Sequence, residues 1–338
     1  MSLGREKISF LGAPTPLEFL PSMSEKLGIK LYIKRDDLLP LGAGGNKLRK
    51  LEYLLADAKA QGATVLLTTG GAQTNHGRLT AAVAAKFGMK CVIACLDEYP
   101  GEISANILLD RIMGAEVVLK KDDGRDEDTQ LQELFAEVTA RYEAQGEKVY
   151  FIPMGGSNVI GVPGYYDCAV ELTRQAQEQG LGNARVVCTV GSLGTYMGLY
   201  TGLRCENSPL SLTGIAILPQ SDEHIMAYWK DIKETYDLPF EAERKDFHIE
   251  TDYMREGYNL PDARVREAVY DMARSEAILL DPCYTGKCFA GLEDMVREGK
   301  IAQGETVILI HTGGFPGLYT KHHRVEFEKE LLDGVTIL

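Results

Sequence analysis

The sequence predicts an α/β protein in which mostly parallel sheets are covered by helices. From about residue 30, short apolar segments alternate with amphipathic helical stretches, and continuous apolar strands of this kind are typical of sheets buried on both faces. The 338 residues exceed the usual size of one domain, so we expect two domains that share a cleft. The 35 glycines cluster where predicted strands end and helices begin, and open α/β sheets bind ligands at that edge.

Each predicted strand is a short apolar run, and the helices between them show one buried face. The first strand covers residues 31–34. Asn46 then caps a helix whose apolar positions, including Leu48 and Leu51, follow the 3-and-4 spacing. Further strands are predicted at 65–67, 91–94, 117–119, 149–152, 186–190, 215–218 and 307–310. The stretch 230–260 is polar and poorly patterned, so we expect it to be surface structure or a flexible element beside the cleft.

Charge and composition exclude several classes of partner. The formal net charge of -13 disfavours nucleic acid and anionic membranes, because both require clustered cations. No apolar run approaches the roughly 18 residues of a membrane span, and the first residues lack the apolar core of a secretory signal. The seven cysteines are scattered without a C-x-x-C pair, which favours packing thiols over a metal site. We therefore expect a reduced, cytoplasmic protein without a metal.

A glycine loop is the clearest candidate for an anion site. The segment Gly191-Ser192-Leu193-Gly194-Thr195 follows the predicted strand 186–190 and leads into an apolar helix. A strand, a glycine loop and a helix start direct backbone N–H groups and the positive helix end at one place, which suits a phosphate. An ordinary turn between strand and helix is the alternative. The spacing matches neither a P-loop nor a dinucleotide fingerprint.

Lys47 is the candidate covalent residue. An isolated lysine is most often a surface residue, but Lys47 follows Gly44-Gly45-Asn46 at a predicted helix N-terminus. The helix dipole disfavours a cation there and lowers the pKa of the amine, as reaction with an aldehyde requires. The two glycines leave room for a flat ring. A reactive lysine together with a separate phosphate loop indicates pyridoxal 5'-phosphate.

Two further segments carry candidate site residues. Thr74, Asn75 and His76 precede a helix predicted from about Gly77, and their donors suit a substrate carboxylate. Simple capping by Thr74 or Asn75 and a core role for His76 are the alternatives. Tyr284 lies in an irregular loop of the kind where catalytic groups collect, although a buried tyrosine is usually a core residue.

These motifs, taken together, resemble the tryptophan-synthase-β-like (fold type II) pyridoxal-phosphate enzymes. Within them the chain resembles the family of D-cysteine desulfhydrase and 1-aminocyclopropane-1-carboxylate deaminase. The resemblance follows the chain in order through segments 11–18, 33–37, 44–52, 155–158, 281–287 and 311–314. It implies two open, twisted, mostly parallel sheets flanked by helices. It also implies a discontinuous large cofactor domain (1–47 and 160–338), a small α/β domain (48–159) and a homodimer.

The resemblance also implies a role for each site residue. Lys47 binds the cofactor covalently, Asn75 contacts its ring oxygen, and the phosphate is held by Gly191, Ser192, Leu193, Gly194 and Thr195. The other implied cofactor contacts are Asn46, Thr285 and Thr312. The substrate, a small amino acid, meets Thr74, Asn75 and His76 with its carboxylate, and Tyr258 and Tyr284 line its reacting end. The implied catalytic residues are Lys47, Thr74, Tyr258 and Tyr284.

Two positions bear on the reaction. Deaminases of the family carry a glutamate where this chain has Thr285, and a neutral hydroxyl stabilises a protonated pyridine ring less well. Thr285 thus favours β-elimination from D-cysteine, which gives pyruvate, ammonia and sulfide. Thr74 replaces the usual serine and adds a methyl group that we expect to face the substrate, while Gly77 and Leu79 replace a bulkier residue and a glutamine.

Several alternatives remain open at this point. On the same scaffold they are an L-cysteate sulfo-lyase and a deaminase of 1-aminocyclopropane-1-carboxylate or of a D-amino acid. Outside the family they are an NAD-dependent oxidoreductase, suggested only by the strand–helix alternation, and a non-catalytic amino-acid-binding protein.

Overall fold

The computed structural model describes residues 3–336, which form ten strands and eleven α-helices. The strands are β1 (Leu17–Phe19), β2 (Lys30–Arg35), β3 (Val65–Thr68), β4 (Lys90–Leu96), β5 (Glu116–Lys120), β6 (Val149–Ile152), β7 (Arg185–Val190), β8 (Ser211–Ala216), β9 (Ile249–Glu250) and β10 (Thr306–His311). The helices are α1 (Pro21–Leu27), α2 (Lys47–Ala60), α3 (Asn75–Lys86), α4 (Ala105–Ile112), α5 (Glu127–Glu143), α6 (Pro163–Glu178), α7 (Gly194–Cys205), α8 (Asp222–Tyr236), α9 (Ala263–Glu276), α10 (Thr285–Arg297) and α11 (Lys321–Leu331).

The strands form two separate sheets. One has six strands in the order β1-β2-β10-β7-β8-β9, and the other has four in the order β5-β4-β3-β6. Within residues 3–336 every strand pair is parallel except β1 with β2. Strand β10 lies between β2 and β7, so the six-stranded sheet joins distant parts of the chain. Carboxyl ends of parallel strands meet at one edge, and both sheets therefore present their following loops to a common cleft.

Both faces of the larger sheet are covered, as the continuous apolar strands predict. Successive side chains of a strand point to opposite faces. In β7, Val186 and Cys188 pack into a core formed with α6, α7 and α8. Val187 packs into the opposite core with α1, α9 and α10. The smaller sheet divides in the same way, with Leu66 on one side and Leu67 on the other.

The predicted α/β class and all eight predicted strands are confirmed, with shifted ends. The largest shift is in β8, which ends at Ala216 rather than 218. The short elements β1, α1 and β9 were not predicted, because two to seven residues carry too little periodicity. The helix predicted from Gly77 begins at Asn75.

The expectation of surface structure for residues 230–260 holds for most of that stretch, whose side chains are largely exposed or half-buried, but it is wrong at several positions. Helix α8 continues to Tyr236, and its Ile232 is fully buried. Phe247 packs against Trp229 with ring centroids 5.8 Å apart, and Tyr253 belongs to the core on the other face of the sheet. Isolated aromatic residues in a polar stretch thus supply core contacts that a periodic pattern does not predict.

Three general properties bear on function. Among residues 3–336, no helix combines the length and hydropathy needed to cross a membrane. All seven cysteines are free, and only Cys205 is not fully buried. In the same part of the chain, no cluster of three or more His, Cys, Asp or Glu side chains is arranged to hold a metal ion.

Candidate active site

A cavity of about 520 Å³ opens where the strands of both sheets end. Its wall combines the start of α2, the loops after β3, β6, β7 and β10, and two tyrosines. Of the residues predicted from the sequence, the wall contains Asn46, Lys47, Thr74, Asn75, His76, Gly191, Ser192, Leu193, Thr195, Tyr258, Tyr284 and Thr312. A second cavity of about 500 Å³ adjoins it and shares Thr74, Asn75, Tyr258 and Tyr284. Most of the predicted site is therefore brought together in one place.

The amine of Lys47 lies free of any ion pair in the described part of the chain. Lys47 is the first residue of α2, and its Nζ donates to Asn46 Oδ1 over 2.9 Å. The ring centroid of Tyr284 is 6.0 Å from Nζ. Loss of solvent around Nζ lowers the pKa of Lys47 to about 8, the charge of Asp281 opposes this shift, and the Arg78 guanidinium adds to it. The direction agrees with the sequence prediction, but the main cause is burial rather than the helix dipole.

Backbone contacts fix the start of α2. Gly44 has a φ of 69°, and a Cβ there would lie 1.8 Å from the carbonyl oxygen of Asp37, so only glycine fits. The N–H of Asn46 donates to the carbonyl of Thr312 over 3.1 Å. The prediction that the Asn46 side chain caps α2 is wrong. Its Nδ2 donates instead to Thr195 Oγ1 over 2.9 Å, because the side chain turns towards the glycine loop.

The glycine loop forms the opposite wall. It connects β7 to α7, a helix of 12 residues, and Leu193 adopts a left-handed φ of 59°. Ser192 Oγ lies 2.8 Å from Ser157 Oγ. A Cβ on Gly194 would lie 2.5 Å from Ser157 Oγ, so this approach requires glycine. The loop thus offers hydroxyls and free helix N–H groups to an anion, which fits the phosphate of the expected cofactor.

Lys50 is a site residue that the sequence reasoning missed. Its side chain is buried, and Nζ donates to Gly155 O and to Ser157 Oγ, each over 3.0 Å. Burial and the nearby Lys47 hold the pKa of this amine well below its usual value. A Cβ on Gly194 would lie 2.7 Å from the Lys50 Nζ, so the amine lies against the glycine loop. The available signal was the spacing of three residues from Lys47, which puts both amines on one helix face.

The N-terminus of α3 carries a capping side chain, Thr74, and polar side chains that face the cavity. Thr74 Oγ1 accepts from Gly77 N over 3.3 Å, so the capping alternative is correct, yet Thr74 also lines the cavity. Asn75 Oδ1 accepts from Asn106 Nδ2 over 3.0 Å. Both ring nitrogens of buried His76 lack a hydrogen-bond partner, and burial and the nearby lysine charges hold its pKa well below the usual value. Unpaired polar atoms in the wall are available to a polar ligand.

The methyl group of Thr74 packs against two glycines. A Cβ on Gly77 would lie 2.5 Å from Thr74 Cγ2, and one on Gly70 would lie 3.4 Å from it. The methyl group therefore fills space that these two glycines leave. Whether it also meets the substrate stays a prediction.

Two tyrosine hydroxyls meet at the far side of the cavity. Tyr258 and Tyr284 share a short hydrogen bond between their hydroxyls, and their rings stand edge-to-face with centroids 5.9 Å apart. Loss of solvent raises the pKa of Tyr258, and that of Tyr284 lies well above its usual value for the same reason. Both phenols are therefore neutral and able to donate near neutral pH.

Thr285 is not brought into the cavity wall. Its hydroxyl donates to Asp281 Oδ1 over 2.7 Å and accepts from the N–H of Asp281 over 2.8 Å. Asp281 Oδ2 also accepts from the N–H groups of Cys283 and Tyr284. Thr285 thus helps to shape the turn before α10. The cavity wall contains another threonine, Thr189, which the sequence analysis did not single out.

Comparisons with known proteins agree with this geometry. Residues 8–313 match the family described as pyridoxal-phosphate dependent enzyme. The D-cysteine desulfhydrase of Salmonella typhimurium is 41% identical over 329 residues, which cover 94% of this chain and 97% of that protein. The chain therefore belongs to the pyridoxal-phosphate-dependent enzymes, and pyridoxal phosphate is its cofactor.

Solved structures support the same assignment. A crystal structure described as an ACC deaminase homologue is 32% identical, with a TM-score of 0.85 over 98% of this chain and 97% of that one. An L-serine ammonia-lyase from Rhizomucor miehei shares the fold at 15% identity, with a TM-score of 0.67 over 95% and 99% of the two chains. The predicted fold type and lyase class are confirmed. The oxidoreductase and the non-catalytic binding protein are set aside.

Proposed function

We propose that this chain catalyses β-elimination from D-cysteine to give pyruvate, ammonia and sulfide. The observation that carries the proposal is the position of the Lys47 amine. Within residues 3–336 it forms no ion pair, and it lies between the glycine loop and the neutral phenols of Tyr258 and Tyr284. The similarity to D-cysteine desulfhydrase over nearly the whole chain supports the substrate.

The residues present fit the cofactor. Lys47 would bind it covalently, residues 191–195 and Lys50 would hold its phosphate, and Asn75 would contact its ring. When bound, pyridoxal phosphate supplies an electron sink for the negative charge that develops on the substrate Cα. Asn46 links Lys47 to Thr195 through its two polar side-chain atoms, so the covalent site and the phosphate site are held in register.

The protein's own groups bind the substrate and move protons. The Thr74 hydroxyl accepts from the helix and keeps its own proton for the substrate carboxylate, beside the positive end of α3. Once the substrate amine has displaced Lys47, its pKa of about 8 leaves an appreciable fraction of the freed amine neutral near pH 7–8 and able to accept the Cα proton. A neutral phenol of the Tyr258–Tyr284 pair donates a proton to the departing sulfur. One water molecule completes the conversion to pyruvate and ammonia.

A substrate panel with a lysine variant tests the proposal. The purified enzyme is assayed for pyruvate and sulfide release from D-cysteine, L-cysteine, L-cysteate, D-serine and 1-aminocyclopropane-1-carboxylate. D-cysteine is expected to give the highest kcat/KM, and Lys47→Ala is expected to lose both turnover and the absorption band of lysine-bound cofactor. Preference for L-cysteate or the cyclopropane acid would show that the substrate is that compound and not D-cysteine. A retained absorption band in Lys47→Ala would refute the covalent site.

The assembly, domain division and compartment belong to the same proposal. A homodimer is supported by apolar side chains that remain exposed on residues 3–336, among them Leu108, Ile112 and Tyr319. The two sheets support a large domain of residues 1–47 and 160–338 and a small domain of residues 48–159. Seven free cysteines favour a reducing compartment such as the cytoplasm. Light scattering of the eluted protein tests the dimer, and a monomeric mass would contradict it.

A further inference from the structure

Lys287 is a buried charged group that the proposed reaction does not use. It lies in the first turn of α10 with no exposed surface. Its Nζ donates to the carbonyls of Met254, over 3.3 Å, and of Gly257. No carboxylate within residues 3–336 forms an ion pair with it. Burying an ammonium group is costly without a paired charge, and a helix N-terminus disfavours a cation. The two hydrogen bonds to backbone carbonyls are therefore the contacts that compensate for burying this amine.

Both carbonyls belong to the irregular segment that carries Tyr258. Arg255 and Asn259 have left-handed φ values of 63° and 56°, which non-glycine residues adopt only when surrounding contacts enforce them. Tyr258 directly follows Gly257, one of the two carbonyls that Lys287 binds. On the other side of Tyr258, the Asn259 side chain hydrogen-bonds to His323 Nε2 over 3.0 Å. The segment is therefore held by side chains and not by a helix or strand.

Lys287 also connects to the second tyrosine of the pair. Tyr284 immediately precedes α10, three residues before Lys287, so both share the same helix start. Lys287 itself lines neither cavity, whereas Tyr258 and Tyr284 line both. Any effect of the lysine on a ligand must therefore be indirect, and its two hydrogen bonds go to the segment that carries Tyr258.

We propose that Lys287 is a positioning residue that holds the Tyr258 hydroxyl against that of Tyr284. This inference rests on the proposed function, in which the tyrosine pair protonates the leaving group. Without the two carbonyl bonds, the segment 254–258 relaxes and Tyr258 leaves its partner. We expect kcat for D-cysteine to fall by about 10- to 100-fold, within the range of general-acid effects. KM and the cofactor absorption band are expected to stay unchanged.

A double-mutant cycle tests this role. Lys287→Met keeps the length of the side chain and removes its donors, and Tyr258→Phe removes the hydroxyl. If Lys287 acts through Tyr258, the double variant loses no more kcat than the more impaired single variant. Lys34→Met is the control for loss of a buried lysine, because Lys34 is equally buried but bonds to Thr15 O and forms an ion pair with Glu171, away from the cavity. Multiplicative losses for Lys287→Met with Tyr258→Phe, or a wild-type kcat in Lys287→Met, would overturn the proposal.

Hydrogen exchange provides a readout that needs no substrate. In the holoenzyme, Lys287→Met should accelerate the exchange of the amides of residues 254–258 relative to wild type, while Lys34→Met should not. Equal exchange in wild type and Lys287→Met refutes the clamp, and Lys287→Gln, which keeps a donor, provides the same comparison if Lys287→Met fails to fold. If D-cysteine is not turned over but the exchange pattern is as expected, the proposed substrate fails and the clamp on Tyr258 stands.

Discussion

Thr74 and Gly77 form a coupled pair that a double-mutant cycle can measure. Gly77 lies inside the first turn of α3, where alanine would ordinarily stabilise the helix by about 1 kcal/mol. A Cβ at this position would instead lie 2.5 Å from Thr74 Cγ2, and 3.0 and 3.1 Å from carbons of Ile93. Ordinary van der Waals contact begins near 3.4 Å. The overlap with Thr74 is therefore the larger one, and Thr74 must rotate to relieve it.

The size of the effect follows from these distances. Overpacking of a buried site costs about 1–3 kcal/mol, and the helix gain offsets about 1 kcal/mol of it. We expect Gly77→Ala to lower the free energy of unfolding by about 1 kcal/mol, or roughly 1–2 °C in Tm for a chain of 338 residues. In the Thr74→Ser background the methyl group is absent, so the same change should be neutral or stabilising. The expected coupling between the two positions is about 1–2 kcal/mol.

Thermal unfolding and steady-state kinetics are the assays, with all four proteins at one fixed, saturating cofactor concentration. Rotation of Thr74 also moves its hydroxyl, so Gly77→Ala should raise KM for the amino acid several-fold, and Thr74→Ser should restore it. Equal changes in Tm for Gly77→Ala in the threonine and serine backgrounds would refute the reasoning, because the clash would then not involve the methyl group.

Three further results are expected. Lys50→Met should weaken cofactor binding at least about 10-fold in a fluorescence titration, since it removes a buried hydrogen-bond donor beside the glycine loop; unchanged affinity would place the phosphate elsewhere. The rate at which apoenzyme binds pyridoxal phosphate covalently should rise with pH through a midpoint near pH 8, because the pKa of Lys47 is lowered to about 8 and only the neutral amine reacts; a midpoint near 10.5 would contradict the burial argument. Arg49→Met should destabilise the protein by about 3–5 kcal/mol in urea unfolding, because buried Asp36 would lose its ion pair; a loss below about 1 kcal/mol would show that solvent reaches the carboxylate.

Features set by local sequence were predictable. The strand 186–190 and the glycine loop after it lie within one short segment, and the structure has them as expected. Lys47 could also be found, because adjacent glycines and a helix start mark it. The local sequence motifs identified most of the residues that line the cavity for the same reason.

Features set by distant contacts were not predictable. Lys50 bonds to Gly155 and Ser157, more than 100 residues away in the chain. The orientation of the Thr74 methyl group depends on the lack of side chains at Gly70 and Gly77. The Asn46 side chain could cap α2 or reach the glycine loop, and only the tertiary position of Thr195 decides between them.

The strand order of the larger sheet has a consequence for biosynthesis. Strands β3 to β6 have all been synthesised once the chain reaches residue 152, so the strands of the smaller sheet are complete early. Strand β2 must wait for β10, whose first residue is Thr306, before it gains a parallel neighbour. The nascent chain therefore holds β2 paired only with β1, and with its other edge open, through most of translation, a state prone to aggregation. The carbonyl of Thr312, which accepts from the N–H of Asn46, is made just after β10, so the start of α2 with Lys47 reaches its final position only when synthesis is almost finished.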